Sequence, residues 1–389
     1  MTLGHKIRQR RLSLGYSLDD LKHLIDELGH SLSKAAISKY ELNKSIPKAT
    51  NLWYIAQALG TSAEFFLRET TFSINWIAFR KTSRLPKKEA SRIQFIAREQ
   101  VEAQLFLSDL LFGRMDSMVI PSYQVNAIED AEAAADKLRS DWKLGNWPID
   151  SVTGLLEDKS VFIIDVDRKD GFDGLSGFAD DERPLIVTAQ EGSVDRKRLN
   201  IAHELAHLIL KVRGVDEEKA AFRFAGALLA PAQAVIGSIG KRRNRIDIRE
   251  LVLLKEEYGI SVQALIRRCF DLKIVSEYEY RNLNVYMRSR GLHLDEPGEC
   301  YHKETPTMIK SKLLRAISEG FTTESEIFSR FPTLSAEIGG VDIEDKWLPN
   351  SEKERKRFLE ESAANMAREY YDGGALTGLD IYDEIVDGK

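Results

Sequence analysis

The chain has 389 residues, of which 43% are hydrophobic and 30% charged, so it is long enough for two or three globular domains. No stretch approaches the roughly 20 apolar residues of a membrane span, and the N-terminus lacks an apolar signal core, so we expect a cytoplasmic protein with no membrane partner. Only Cys269 and Cys300 are present, too few for a disulfide framework or a cysteine-based zinc site.

The net charge of −5 is unevenly distributed. Residues 1–50 hold nine Lys/Arg against five Asp/Glu, whereas residues 360–389 hold eight acids against two bases. A basic N-terminal segment in an otherwise acidic chain predicts that nucleic acid binds only at the N-terminal end.

Residues 1–67 are predicted to form a compact all-helical unit. Ser17 is placed to cap one helix, which Gly29 closes, and Ser33 is placed to cap a second, Lys34–Glu41. Two short helices joined at a glycine form the helix-turn-helix unit.

The stretch Ile37-Ser38-Lys39-Tyr40-Glu41, followed by Pro47, resembles the Xre/Cro-type repressor family. The resemblance implies that Lys34–Glu41 is a recognition helix lying in the major groove of a double-stranded DNA operator, and two-fold operators favour a homodimer. The residues expected to meet bases or phosphates are Ser33, Lys34, Ala35, Ser38, Lys39 and Lys44. The alternative is a helical bundle that packs against the rest of the chain or binds protein.

Residues 68–95 are polar and basic and are predicted to form a linker. A solvated hinge is favoured over a segment that contacts DNA. Beyond this point the sequence predicts a helix from Lys87 to Leu111 and another from Ile128 to Trp142. Strands are predicted at 160–166, 174–179 and 185–189, and we expect them to form a small, mainly antiparallel sheet.

The apolar stretch Asn200–Leu210 contains the pattern His-Glu-x-x-His. Residues four apart share one face of a helix, so His203 and His207 can both bind one metal ion. Glu204 is offset by about 100° and lies beside the metal, where a general base must be. Two imidazoles and a carboxylate suit zinc. The alternative is a solvated helix face without metal.

A third ligand is expected on the next helix, and Glu218 is the candidate. Phe222 and Ala225 follow it at i+4 and i+7, so Glu218 extends the inward-facing stripe of that helix. Glu217 lies nearer the solvent face and is the weaker candidate. The alternative is that Glu218 is only an acidic residue in a first helical turn.

The segment Asp195–His207, together with the Glu218 helix and its Leu228-Leu229-Ala230-Pro231 end, resembles the ImmA/IrrE family of zinc metallo-endopeptidases. The resemblance covers roughly residues 76–300. It departs from the family at Ala220-Ala221-Phe222, where the family usually reads acidic-Ala-Asn.

That resemblance implies a zincin-like α+β peptidase domain at residues 96–300, with a sheet edge that could receive a peptide by strand addition. It also implies a helix-turn-helix repressor as substrate, cut so that stress or mobile-element genes are switched on. A C-terminal helical region at residues 301–389, with helices at Met308–Ile317 and Lys353–Tyr370, carries no motif.

The predicted fold class is therefore multidomain, with an all-α helix-turn-helix domain, an α+β zincin-like metallopeptidase domain and a mainly helical C-terminal region. The predicted function is a DNA-binding zinc metallo-endopeptidase that regulates transcription. Two other functions fit the same residues. One is a non-catalytic zinc-containing transcriptional regulator or antitoxin-like DNA-binding protein, and the other is a zinc-stabilised scaffold.

Overall fold

Five helices form an N-terminal bundle in the computed structural model. They are α1 (Leu3–Ser13), α2 (Leu18–Glu27), α3 (Lys34–Glu41), α4 (Ala49–Ala58) and α5 (Ala63–Leu67). Ser17 caps α2 in a capping box with Asp20, and the Ser33 hydroxyl accepts a hydrogen bond from Ala36 N at the start of α3. Isoleucines and leucines from α1 to α4 are fully buried at the centre of this bundle. The predicted helical unit and the bounds of its second and third helices are confirmed.

The structure describes residues 2–68, 72–77, 86–113, 120–167, 172–180, 182–190, 192–299 and 301–334. Residues up to Leu334 cluster as one unit. Cys300, the predicted helix Lys353–Tyr370 and the acidic segment 360–389 lie outside the described residues, as do residues 78–85 of the predicted linker.

A long helix, α6 (Lys87–Phe112), follows the bundle. It packs against α1, and its Phe95 belongs to the apolar core of the N-terminal bundle. Ile93, Ala97 and Val101 of the same helix belong to a second core, which lies against the sheet. One helix therefore joins the N-terminal bundle to the rest of the chain.

A four-stranded sheet lies beside α6, with strand order β1-β4-β5-β3. Its strands are β1 (Ile74–Trp76), β3 (Phe162–Val166), β4 (Gly174–Ala179) and β5 (Arg183–Ala189). Strand β4 pairs antiparallel with both β1 and β5, whereas β3 runs parallel to β5. The sheet is thus mixed. Strand β1 comes from the stretch expected to be a linker, and it pairs with β4 from Gly177 to Ala179.

The largest core lies on the other side of the sheet and is formed by helices. Its elements are α7 (Ile128–Asp141), α8 (Val152–Asp158), α9 (Val194–Ile209), α10 (Glu217–Leu229), α11 (Ala232–Ile239), α12 (Ile248–Tyr258), α13 (Val262–Asp271) and α14 (Glu277–Ser289). Helix α9 packs on β4, β5 and α10, and α10 also packs on α7. The short strands β2 (Tyr123–Val125) and β6 (Leu210–Val212) pair in parallel at the end of α9. Cys269 of α13 is fully buried, and burial raises the pKa of its thiol to about 12, as suits a packing residue.

Two further helices, α15 (Met308–Ser318) and α16 (Glu324–Arg330), return towards the N-terminal half of the chain. Helix α15 packs on α6, and α16 contacts α5. Among the described helices, none is by itself long and apolar enough to cross a membrane. Helices α10 and α11 reach that length and composition only together, as a pair bent by 65°.

Candidate metal centre and nucleic-acid interface

The His-Glu-x-x-His pattern lies on the C-terminal half of α9, where the helix is buried between the sheet and α10. His203, Glu204 and His207 are each less than 10% exposed. The first turn of α9 is anchored by Asp195, whose carboxylate lies 3.2 Å from Nζ of the buried Lys255. Polar side chains this deeply buried require polar partners or a metal ion.

Three potential ligand atoms converge between α9 and α10. The Nε2 atoms of His203 and His207 are 3.1 Å apart, and the nearest Glu218 oxygens lie 3.3 Å from the first and 3.6 Å from the second. Neighbouring ligand atoms in a tetrahedral zinc site with ordinary bond lengths are about 3.3 Å apart. The donor set and its spacing therefore fit one zinc ion with an open fourth position. Among the described residues, no other group of His, Cys, Asp or Glu side chains converges in this way.

Glu217 lies beside the second histidine. Its carboxylate oxygen is 3.2 Å from His207 Nδ1, the ring nitrogen that faces away from the other two ligand atoms. A carboxylate on the second ring nitrogen fixes the tautomer and orientation of a metal-binding histidine. The sequence singled out Glu217 only as a weaker ligand candidate, and the structure places it against the ring of a candidate ligand, His207.

Glu204 is held by strand β4. The Ser176 hydroxyl donates a hydrogen bond of 2.7 Å to Glu204 Oε2. Gly174 of the same strand lies directly against the Glu204 side chain, so that a Cβ atom at position 174 would be only 2.9 Å from Glu204 Cγ. Burial raises the pKa of Glu204, while the hydrogen bond from Ser176 acts in the opposite direction. Neither Gly174 nor Ser176 was predicted, since both read in the sequence only as strand residues.

Phe222 lies against the ring of His203, at the position where the sequence departs from the ImmA/IrrE pattern that it resembles. The centroid of its ring is 4.2 Å from that of His203, and about half of Phe222 is exposed. An aromatic side chain thus forms part of the entrance to the candidate metal centre.

The predicted DNA-contacting residues lie on and just beyond α3. Ser33, Lys34, Ala35, Lys39 and Lys44 are exposed, and Ser38 is half-buried. Lys34 to Ser38 and Ala35 to Lys39 are each four residues apart and so share a helix face. Lys34 Nζ is 2.5 Å from the exposed carboxylate of Asp19. All six residues are therefore accessible in the described part of the chain.

A buried ion pair that was not predicted fixes the C-terminal end of α3. Arg11 donates two hydrogen bonds, of 2.6 and 2.8 Å, to the two carboxylate oxygens of Glu41. Ile37, one helical turn earlier, is fully buried in the bundle core. Two parallel hydrogen bonds give the pair a defined geometry, so α3 is anchored on α1 while its opposite face stays exposed.

A buried His-Glu-x-x-His helix, a candidate third ligand on the next helix and an adjoining mixed sheet together make up a candidate metal centre. Two family models match the chain: residues 7–66 match the helix-turn-helix family, and residues 162–270 match the IrrE N-terminal-like domain of the peptidase M78 family. The chain thus carries an Xre-type helix-turn-helix domain followed by an IrrE N-terminal-like peptidase domain, and both resemblances are confirmed. A search of curated proteins and a search of solved structures each found no match.

Proposed function

We propose that this chain is a DNA-binding zinc metallo-endopeptidase that regulates transcription in the cytoplasm by cleaving a helix-turn-helix repressor. The observation that carries the proposal is the convergence of His203, His207 and Glu218 beside the buried carboxylate of Glu204. An enzyme needs such a carboxylate next to the metal, whereas a purely structural metal site does not.

His203, His207 and Glu218 would hold zinc, which when bound supplies Lewis-acid chemistry by polarising a carbonyl and acidifying water. Glu204 accepts the proton of the attacking water and transfers it to the nitrogen of the leaving amine. The Ser176 hydrogen bond and the close approach of Gly174 hold the Glu204 carboxylate in the orientation that these transfers require. Glu217 holds the imidazole of His207.

The N-terminal domain would bring this activity to DNA. Lys34, Lys39 and Lys44 are exposed cations that can neutralise phosphates, and Ser33, Ala35 and Ser38 can reach base edges. A homodimer would match the two-fold symmetry of an operator. Cleavage of a repressor would then switch on stress or mobile-element genes.

The test is to compare the wild type with Glu204→Gln, each loaded with zinc and incubated with purified repressors encoded beside its gene. Wild type should cleave a repressor, whereas Glu204→Gln should bind the same amount of zinc and cleave nothing. Glu129→Gln, an exposed carboxylate on α7, is the matched control and should behave as wild type. Cleavage by Glu204→Gln at the wild-type rate would refute the mechanism.

One observation favours a second function, that of a zinc-containing regulator without peptidase activity. Phe222 covers His203 at the position where the family carries an asparagine. The same assay separates the two functions, since zinc bound at one ion per chain with no cleavage by wild type would identify the regulator.

A further inference from the structure

A cleft of about 270 Å³ opens beside the candidate metal centre. Phe222, whose ring lies against His203, forms one wall, and Leu199, one helical turn before His203 on α9, forms another. Gly226 of α10 and Ala264 of α13 also line it. The volume is below the roughly 300–1,000 Å³ of clefts that bury drug-sized ligands, so it suits a single large side chain.

Gly226 contributes no side chain to this cleft. It lies inside α10, where glycine is a poorer helix former than alanine. A Cβ atom at this position would make only an ordinary contact, 3.6 Å from Arg268 Cδ. Neither packing nor backbone conformation therefore requires glycine, and its consequence is unfilled space beside Phe222.

Positively charged side chains outnumber negatively charged ones around the cleft. At its inner end, Arg223 and Arg268 both pair with Glu132. At the rim, the exposed Lys219 makes no ion pair with any described residue. Arg267 is also exposed at the rim, although its Nε lies 2.9 Å from an Asp271 oxygen. The exposed cations Lys219 and Arg267, next to apolar walls, complement an apolar side chain with a carboxylate next to it.

We propose that this cleft is a specificity pocket of the candidate peptidase. It accepts a large apolar side chain, such as leucine, methionine or phenylalanine, from the residue adjoining the scissile bond. Lys219 and Arg267 then attract an Asp or Glu next to that residue. The proposal rests on the proposed peptidase function for the meaning of the scissile bond, but occupancy of the cleft can be measured without catalysis.

Binding is tested with three dipeptide hydroxamates, whose hydroxamate group ligates zinc: Leu-Glu, Ala-Glu and Leu-Gln. Calorimetry on the zinc-loaded full chain should show that the wild type binds Leu-Glu on the order of tenfold or more tightly than Ala-Glu, because the leucine side chain fills the apolar cleft. It should also bind Leu-Glu more tightly than Leu-Gln.

Two variants and one control locate the effect. Gly226→Leu fills the cleft and should abolish the preference for leucine, whereas Gly226→Ala adds one methyl group where there is room and should retain it. Lys219→Gln should abolish the preference for Leu-Glu over Leu-Gln and retain the preference for leucine. The exposed position of Lys219 makes this variant informative even if Gly226→Leu fails to fold.

The proposal is overturned if the wild type binds the leucine and alanine probes equally, if Gly226→Leu keeps the preference, or if no probe binds the zinc-loaded chain. Mass spectrometry of a digested peptide library then tests the peptidase separately. Cleavage without a preference among the probes would refute the specificity pocket and support the peptidase. A preference among the probes without cleavage would support the pocket and refute the peptidase.

Discussion

Glu304 lies in the segment between α14 and α15 and provides the sharpest test of how α9 is held in place. Its carboxylate is almost fully buried and accepts hydrogen bonds of 2.9 Å from Ser151 Oγ, Val152 N and Thr153 N. It also pairs with the guanidinium of Arg198, a fully buried side chain of α9 five residues before His203.

The substitution Glu304→Gln conserves shape but removes the charge. All four partners of the carboxylate are donors, so the new amide NH2 must face a donor. Arg198 keeps hydrogen bonds to the carbonyl oxygens of Ile149, Asp150 and Gly259 but loses its carboxylate. Removing one partner of a buried ion pair costs about 3–5 kcal/mol, a large part of the roughly 5–15 kcal/mol that stabilises a typical domain.

Urea unfolding of the zinc-loaded chain, followed by far-UV circular dichroism, measures this loss. Glu299→Gln, which removes an exposed carboxylate five residues earlier, is the matched control and should change the free energy of unfolding by no more than about 0.5 kcal/mol. Equal unfolding midpoints for the two variants would refute the inference that Glu304 anchors α9.

The same carboxylate makes stability depend on pH. Burial alone would raise the pKa of Glu304, but the Thr153 and Val152 N–H groups and the Arg198 charge outweigh it and hold the pKa below its ordinary value of 4.5. A depressed pKa in the folded state contributes stability that is present above the ordinary pKa and is lost as the pH falls through the folded one. The difference between wild type and Glu304→Gln should therefore shrink below pH 4.5, and a difference that grows in acid would contradict this account.

Three further predictions concern the metal centre and DNA. Gly174→Ala should displace the Glu204 carboxylate and lower the cleavage rate by up to about 100-fold, with zinc content unchanged by elemental analysis. Glu217→Gln should weaken zinc affinity by about 10- to 100-fold in a chelator competition, and unchanged affinity would exclude its role on the histidine. Lys34→Ala with Lys39→Ala should weaken operator binding and reduce the slope of log K against log salt by about 2 in gel-shift titrations.

The local parts of this structure were predictable because they depend on residues close together in sequence. The four-residue spacing of His203 and His207 requires only a helix, and Glu218 followed from the apolar stripe of the next one. The predicted start of α6 at Lys87 and the predicted strand at 174–179 agree with the structure.

What the sequence could not provide are contacts between distant segments. Ser176 and Glu204 are 28 residues apart, and Arg198 and Glu304 are 106 apart. Strand β1 has only three residues, too few for a periodic pattern, and it exists because β4 offers an unpaired edge. The parallel pairing of β3 with β5 likewise follows from their positions in the sheet, because periodicity carries no information on strand direction.

Helix α6 shows why motifs and folding units need not coincide in this chain. The motif boundary after the helix-turn-helix domain falls before residue 95, yet Phe95 is buried in the core of the N-terminal bundle. Ile93 and Ala97, on either side of it, are buried against the sheet. Cutting the chain within the predicted linker at residues 68–95 would leave the core of the N-terminal bundle incomplete, because Phe95 would remain on the C-terminal fragment. The helix-turn-helix and IrrE-like domains thus match different family models, but apolar side chains of α6 are buried in the cores of both.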